Sequence, residues 1–440
     1  MAKNLQAGLR QSIKASRKAG VTGAGIFSRA PLDLRFALQK TLDPRVTFTR
    51  ASTGTFVGSD GVIQSATTDE ARFDHNPTTG ESLGLLVEEA RTNLVLYSEQ
   101  FNDATWTKTL VSVSTDAAVA PDGSTTADKL IVNNGSSPTS ARISQTITKA
   151  ATATTYTFTV FAKTGDVTTG NSLQIVATDS VITSNNATSN FSTATGTVTV
   201  AAVANGTFTN ASSSISPLAN GWYRCTLTFT TGTEVSIQTR LFSRTPTTGD
   251  GTRGILLWGA QLEAGAFATS YIPTTTATVT RAADVASITG ANFSSWYNQT
   301  EGTVFSDCVG TFSATQVLVN MSATAANTAT SAISLASNLT SSQKRVRVRD
   351  AASADQASLA LGAASSGSRT RIAVAIKADD FAASLDGGAT VTDATGTVPT
   401  VALMEIGSSP SGVTLGTQLH RRLAYWPVRL ANTTLQQITQ

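Results

Sequence analysis

Apolar and polar residues alternate with a period of two along most of this chain, the spacing of strands with one buried face. Val46 and Phe48 stand opposite Thr47 and Thr49, and Tyr156-Thr157-Phe158-Thr159-Val160 repeats the alternation. Trp222 to Phe229 places Tyr223, Cys225, Leu227 and Phe229 on one side of a pleat, which predicts an inward row. Leu83, Leu85 and Val87 share a face, with Glu81 and Glu89 on the same parity near the ends. Gly254 to Glu263 is almost entirely apolar, as in a strand covered on both faces. Arg371–Lys377 predicts a strand paired with Phe381–Leu385, which closes on Asp386-Gly387-Gly388. His420–Arg429 predicts a last strand and Thr433–Ile438 a short terminal helix. Turn chemistry falls between these runs, at Asp60-Gly61, Asn76–Gly80 and Pro121-Asp122-Gly123.

Residues 1–30 break this rhythm. At roughly 100° per residue, Leu5, Leu9 and Ile13 form one stripe, and Lys3, Arg10, Lys14, Arg17 and Lys18 lie on a neighbouring face. The pattern predicts a helix from Lys3 to about Ala19, ended by Gly20, Gly23 and Gly25. An isolated helix of that length is marginal in water, and the stripe gains little without a partner surface. A docking segment built on Leu5, Leu9, Ile13, Arg10 and Lys14 is therefore expected; a frayed basic tail is the plainer alternative.

Composition narrows the classes. Only 14% of the 440 residues are charged, against about 25% in an average soluble protein. Long surface helices need Glu and Lys, so short strands and turns are favoured. A net charge of +3 is too small for a nucleic-acid binder outside a local patch. Cys225 and Cys308 are too few for a disulfide framework. No apolar run approaches the ~18 residues of a membrane span, and the N-terminus lacks the apolar core of a secretory signal. Synthesis in a cytoplasm is expected. Sequons at Asn134, Asn205, Asn298 and Asn432 are chance events in so Ser/Thr-rich a chain. With Thr274–Thr280 as a linker, four segments are expected: an anchoring segment 1–30, a small β module 31–97, and two β-sandwich domains at 98–275 and 282–440. The fold class is mainly β.

Two stretches carry a resemblance. Thr41-Leu42-Asp43-Pro44-Arg45-Val46-Thr47-Phe48-Thr49-Arg50-Ala51-Ser52 and the run from Arg72-Phe73-Asp74-His75 through Glu88-Glu89-Ala90-Arg91-Thr92-Asn93-Leu94 resemble the opening module of tailed-bacteriophage and prophage virion proteins. These are spikes, fibres and related adhesins, found also on gene-transfer particles. Phe101–Trp106, Asn220–Arg224, Trp258–Glu263 and Tyr271–Thr274 resemble jelly-roll carbohydrate-binding modules. Trp296–Phe305 and Arg345–Arg349 resemble concanavalin/laminin-G-like lectin sandwiches. The resemblance implies a virion-surface protein that contacts other virion proteins through its N-terminus and host-cell polysaccharide through its sandwiches. It implies no membrane insertion and no cofactor beyond a structural calcium. It also points to a homo-oligomer, a trimer by analogy, although no heptad stalk is present to enforce one.

Sugar binding calls for an aromatic platform beside hydrogen-bonding groups. Trp106, Trp222, Trp296 and Tyr297 are the candidates, each weighed against a packed, structural aromatic. Trp222 faces away from the Tyr223–Phe229 row. Arg345, Arg347 and Arg349 share a strand face and suit an acidic polysaccharide, or else guard a sheet edge. Catalysis finds weaker footing. Glycosidases need two carboxylates across one cleft, whereas the adjacent Glu88 and Glu89 point to opposite faces. Asp379 and Asp380 fall in a turn. His75 and His420 come without a nucleophile elbow and read as surface histidines, and no β-helix period is visible. Asp122 and Asp128 flank a loop that could hold calcium, but without further acidic ligands they read as turn formers. The expectation is a non-catalytic, glycan-binding attachment protein. The alternatives are a purely structural head or tail decoration or connector, and a polysaccharide depolymerase.

Overall fold

The computed structural model describes residues 23–166, 172–244, 248–311, 316–324, 330–338, 343–363, 365–407 and 416–440. The predicted docking stripe (Leu5, Leu9, Arg10, Ile13, Lys14) lies outside them. The protein is mainly β, built from antiparallel sheets, and the helices among the described residues are short. Among the described residues no helix is long and apolar enough to cross a membrane.

Two six-stranded sheets form an inserted sandwich. One runs Thr209–Pro217, Trp222–Thr230, Thr155–Lys163, Gly254–Ala264, Ala127–Val132, Val111–Ala118 in spatial order. The other runs Thr197–Asn205, Asn186–Ser192, Ser172–Asp179, Ser236–Arg244, Arg142–Thr148, Thr107–Thr109. Their inner faces enclose Phe158, Val160, Leu173, Ile175, Phe191, Cys225, Leu227, Phe229 and Leu241. The alternation at 222–229 is thus realised, with Tyr223 half-buried at the sheet end. Gly254–Leu262 is buried on both faces, as its composition requires.

The second sandwich is a composite of both ends of the chain. One sheet orders Val391–Asp393, Phe381–Leu385, Arg369–Lys377, Glu301–Thr311, Thr417–Trp426, Ser82–Glu88 and Arg72–His75, and Leu32–Leu34 also pairs with Thr417–Trp426. The facing sheet runs from Thr47–Thr49 through Val285–Thr289 and Leu403–Ile406 to Gln316–Ser322, Ala332–Asn338, Gln343–Arg349 and Asp355–Ala363. Residues 31–97 are therefore not a module of their own. Leu85 lies opposite His420 and Phe48 opposite Ala286. Leu32, Leu34, Phe36, Val46, Phe48, Leu85 and Val87 share one core with Ile288, Val304, Val319, Leu335, Val346 and Val374. The reason is visible in Leu85-Leu86-Val87, where both parities are buried; a free hairpin would leave one face in water. Gly84 (φ +104°) marks the intimacy of the pairing, because a Cβ there would stand 2.0 Å from the His420 carbonyl oxygen.

Thr274–Thr280, expected as a linker, turns back on the chain instead. Val279–Arg281 pairs with Arg91–Asn93, so the inserted sandwich leaves and re-enters the composite one at a single point. The predicted pairing of Arg371–Lys377 with Phe381–Leu385 is present, Ile372 opposite Leu385. The last strand lies at Thr417–Trp426, three residues earlier than expected, and the final helix at Asn432–Ile438. Residues 23–30 pack back onto the composite sandwich, where Phe27 meets Phe305, Trp426, Leu435 and Ile438.

Expressed separately, residues 94–278 should unfold cooperatively, because their core is complete within those bounds. Residues 282–440 alone should remain unfolded or aggregate, since they lack Leu32, Leu34, Phe36, Phe48, Leu85 and Val87. Circular dichroism melts and amide dispersion in NMR spectra check both. A cooperative melt from 282–440 would show that the N-terminal strands are dispensable.

Candidate functional site

Where the two sandwiches meet, five buried charged side chains form one network. Arg72 is fully buried; its Nη1 donates to Glu88 Oε2 and Ser270 Oγ, both at 2.8 Å, and its Nη2 donates to Asp284. Arg50 donates from Nη1 to Asp284 Oδ1 at 3.1 Å and from Nη2 to the Thr67 carbonyl at 2.7 Å. Arg281 reaches Glu88 at 3.3 Å. Glu88 also accepts from the Ser270 N–H (2.8 Å), the Ser270 hydroxyl (2.6 Å) and Thr417 (3.3 Å). Burial alone would raise the Glu88 carboxyl, but Arg281, Arg72 and the Ser270 donors outweigh it and hold it at about 2. Arg50, Arg72 and Glu88 come from the N-terminal strands, Ser270 from the end of the insertion, and Arg281 and Asp284 from the chain's return.

Above this network lies a hollow of about 270 Å³ lined by both sandwiches. Phe56, Val57, Ile63 and Leu86 form one wall; Phe161, Leu218, Tyr271 and Leu419 supply further apolar surface. Its polar groups include Asp74, Glu88, Thr269, Ser270 and Arg224. The hollow continues along the outer face of the inserted sandwich into a groove of about 420 Å³ that shares Arg224 and is lined by Ser212, Ser214, Ser216, Thr226, Thr228, Phe267 and Thr311. Ser212, Ser214 and Ser216 are exposed. They lie opposite Thr228, Thr226 and Arg224 in the neighbouring strand, so strand alternation sets the hydroxyls in a row. On the other side a second hollow of about 420 Å³, lined by Ser59, Asp60, Thr78, Thr79 and Asn220, adjoins through Pro77 and Leu218. Phe56, half-buried, is the accessible aromatic of the seam. Asp74 accepts from the Val57 N–H at 2.6 Å, yet burial pushes its carboxyl up to about 6.

The predicted aromatic platforms lie elsewhere. Trp106 is fully buried and donates to the Tyr97 carbonyl. Trp222 does face away from the inner core, as its parity requires, but the 54–66 hairpin covers it. It packs with Ile63, Phe161, Trp258 and Tyr271 and donates to the Val119 carbonyl. Trp296 is buried, and Tyr297 stacks on Phe293 and Tyr425 at 4.7 and 5.2 Å between centroids. Arg347 and Arg349 both pair with Asp355, and Arg345 donates to Gln343. Their strand is the second from the sheet edge, with Asp355–Ala363 outside it, so the row guards no edge. None of these seven residues lines the seam hollows.

Neither histidine is on the surface. His75 is buried, with Nδ1 at 3.0 Å from the Val57 carbonyl. His420 is wholly enclosed, with no partner among the described residues for either ring nitrogen, and burial pushes its pKa down to about 3. Asp122 accepts the N–H and the hydroxyl of Ser124 two residues on, as a turn former does, whereas Asp128 lies within the Ala127–Val132 strand and accepts the distant N–H groups of Phe101 and Asp116, so it forms no turn. Among the described residues no cluster of three or more His, Cys, Asp or Glu is placed to hold a metal ion.

No family model matches the chain, and no curated protein matches it. Among solved structures, a mutant of Trypanosoma rangeli sialidase displaying trans-sialidase activity is similar at 12% identity over 35% of this chain and 25% of that one, with a TM-score of 0.26. Mouse laminin alpha1 chain domains LG4-5 are similar at 10% identity over 62% of this chain and 81% of that one, with a TM-score of 0.22. Trypanosoma rangeli sialidase is similar at 11% identity over 73% and 57% of the two chains, with a TM-score of 0.28. The chain thus spans a quarter to just over half the length of the sialidases. Likenesses this distant set neither a family nor an activity.

Glu88→Gln should destabilise the protein by about 3–5 kcal/mol at neutral pH, because it leaves Arg72 and Arg281 under-compensated in the interior. In the wild type this stabilisation is intact above the ordinary carboxylate value of 4.5 and is lost as pH falls towards about 2. Urea melts at pH 7 and pH 3 measure both effects, and equal melts of variant and wild type at pH 7 would remove the network from its structural role.

Asp74 behaves in the opposite sense. Its folded carboxyl is raised from 3.8 to about 6, so its charge penalises folding progressively above 3.8 and fully above about 6. Asp74→Asn keeps an acceptor for Val57 and should stabilise the protein at pH 8 by about 1–2 kcal/mol, discounted for partial exposure, with no gain at pH 3. Thermal melts at the two pH values provide the comparison.

Proposed function

We propose that this chain is a virion-surface spike or fibre protein that attaches its particle to host cells by binding surface glycans without changing them chemically. The observation that carries the reading is the seam: an accessible Phe56, an arginine and a row of exposed hydroxyls line adjoining hollows between two sandwiches. Sugars are recognised by this combination, an apolar face for their C–H surfaces and hydrogen-bonding groups for their hydroxyls. The resemblance of residues 41–94 to virion attachment proteins supplies the setting. In that setting the N-terminal segment would contact other virion proteins, and a homo-oligomer would multiply the affinity of each seam.

A depolymerase is the second reading, and one observation favours it. Asp74 and Glu88 line the same hollow with their carboxyls pushed in opposite directions, the pattern of an acid and a nucleophile. Against it, both Glu88 oxygens already accept from Arg72, Ser270 and Thr417, with Arg281 adjacent. A carboxylate so engaged has no free electron pair to offer a reacting carbon.

Purified protein should bind host-surface polysaccharide, and Phe56→Ala should weaken that binding by about tenfold or more while the melting temperature shifts little. Prolonged incubation should release no reducing ends. Binding to no glycan on an array, with normal incorporation into particles, would favour a purely structural decoration or connector. New reducing ends that disappear in Asp74→Asn would favour the depolymerase.

A further inference from the structure

The seam's arginine is half-buried and differs from the fully buried arginines of the junction. Arg50, Arg72 and Arg281 each sit within 4 Å of a carboxylate. Arg224 lies in the floor shared by the hollow and the groove, and among the described residues no carboxylate stands at ion-pair distance from it. Its Nη2 donates to the Thr159 hydroxyl at 3.1 Å, and its Nε is buried without an acceptor. The guanidinium lies over the Phe161 ring at 5.4 Å, which holds the fork in place. Two buried carboxylates lie near enough to influence it electrostatically, and both are engaged. Glu263 accepts from Gln261 and from the N–H and hydroxyl of Thr269, and Glu88 belongs to the junction network. Burial accordingly pushes the Arg224 pKa down, as for a cation short of compensation.

A guanidinium has five donors in a fixed plane, and that geometry matches a planar carboxylate with two parallel hydrogen bonds. A cation that is partly desolvated, positioned by an aromatic face and left without a counter-ion at ion-pair distance is a receptor for an anion supplied from outside. The groups beside it fix what kind of anion. Ser212, Ser214 and Ser216 extend from Arg224 along about 14 Å of strand, two residues per step, and offer neutral hydroxyls rather than further cations. A polyphosphate or nucleic acid would need repeated positive charge there. We propose that the seam selects acidic glycans, with Arg224 holding the carboxylate of one uronic-acid-type sugar and the serine row holding the hydroxyls of its neighbours. This rests on the reading of the seam as a glycan site and adds the class of sugar. It also moves the acid-recognising role from Arg345, Arg347 and Arg349, two of which already share Asp355 as an ion-pair partner.

The test uses the full chain and two probes, an oligosaccharide of uronic acids and the same oligosaccharide with its carboxyl groups reduced to primary alcohols. Titration calorimetry should show the acidic form binding at least about tenfold more tightly to the wild type. Arg224→Gln should lose that preference while binding the reduced form as the wild type does. Arg224→Lys, which keeps the charge but not the fork, should fall between. The comparison of the two probes on unmodified protein needs no variant, so it stands even if Arg224→Gln folds poorly. Equal affinity of the wild type for both forms would overturn the inference. If Phe56→Ala then abolished binding of both, the glycan-binding reading would survive. Failure of the wild type to bind either form would sink both. Tighter binding of a phosphate-bearing glycan than of the uronic acid form, dependent on Arg224, would replace carboxylate by phosphate.

Discussion

The junction network is the constraint on which the remaining arrangement depends. Three arginines and two acids, buried together, carry one excess positive charge between them. Ions taken out of water are tolerated only when their hydrogen bonds are nearly complete, and completeness is directional. Arg72 can satisfy Glu88, Ser270 and Asp284 together only if the N-terminal strands, the end of the insertion and the chain's return occupy one relative position. Apolar packing would have allowed sliding between these segments. The backbone reinforces the arrangement, with Glu88 N–H donating to Asp284 and Asp284 N–H to the Glu88 carbonyl.

Each sandwich has its own core, and the two cores share no residue. What joins them is a smaller apolar cluster in which Ile63 of the N-terminal hairpin meets Phe161, Trp222, Trp258 and Tyr271 of the insertion. That cluster sits beside the charged network, and Thr55 links the two by donating to the Tyr271 carbonyl at 2.6 Å while its own carbonyl accepts from Arg72. The seam is therefore a surface with a rigid floor: ionic on one side, aromatic on the other.

Local periodicity was readable and long-range pairing was not. The inward row at 225–229, the doubly buried 254–262 strand, the 371–385 hairpin and the final helix follow from spacing and composition, which are properties of neighbours in sequence. That residues 31–97 complete the C-terminal sandwich depends on a return of more than 300 residues, which no local pattern encodes. Trp222 shows the limit within a single residue: parity gave its direction correctly, while its burial is decided by a hairpin 160 residues earlier. The network left one trace, an acid at Glu88 directly after Leu85-Leu86-Val87, where a strand already apolar on both faces has little room for a solvated charge. His420, next to Arg421 and Arg422, invites a surface reading; a break in strand register at Arg421 lets His420 point inward while Arg421 pairs with Glu81 and Arg422 with Asp33. Arg224 closes the Asn220–Arg224 stretch and Phe56 belongs to no such stretch, yet nothing local marks either as a site residue, because their significance lies in what the fold fails to place beside the one and leaves uncovered above the other.

The insertion topology explains why a binding surface would form at this seam rather than at a loop tip. An inserted domain tethered at both ends by adjacent strands has few rigid-body freedoms, and the ionic network removes most of those that remain. Walls contributed by two sandwiches then keep their spacing before any ligand arrives. Binding to such a surface avoids the ordering cost that mobile loops incur, so modest contacts translate into affinity more efficiently. Changes in the network should consequently propagate to the seam through Ser270 and Glu88, which belong to both, whereas changes in either hydrophobic core should alter stability first and leave the seam's shape intact until the sandwich itself opens.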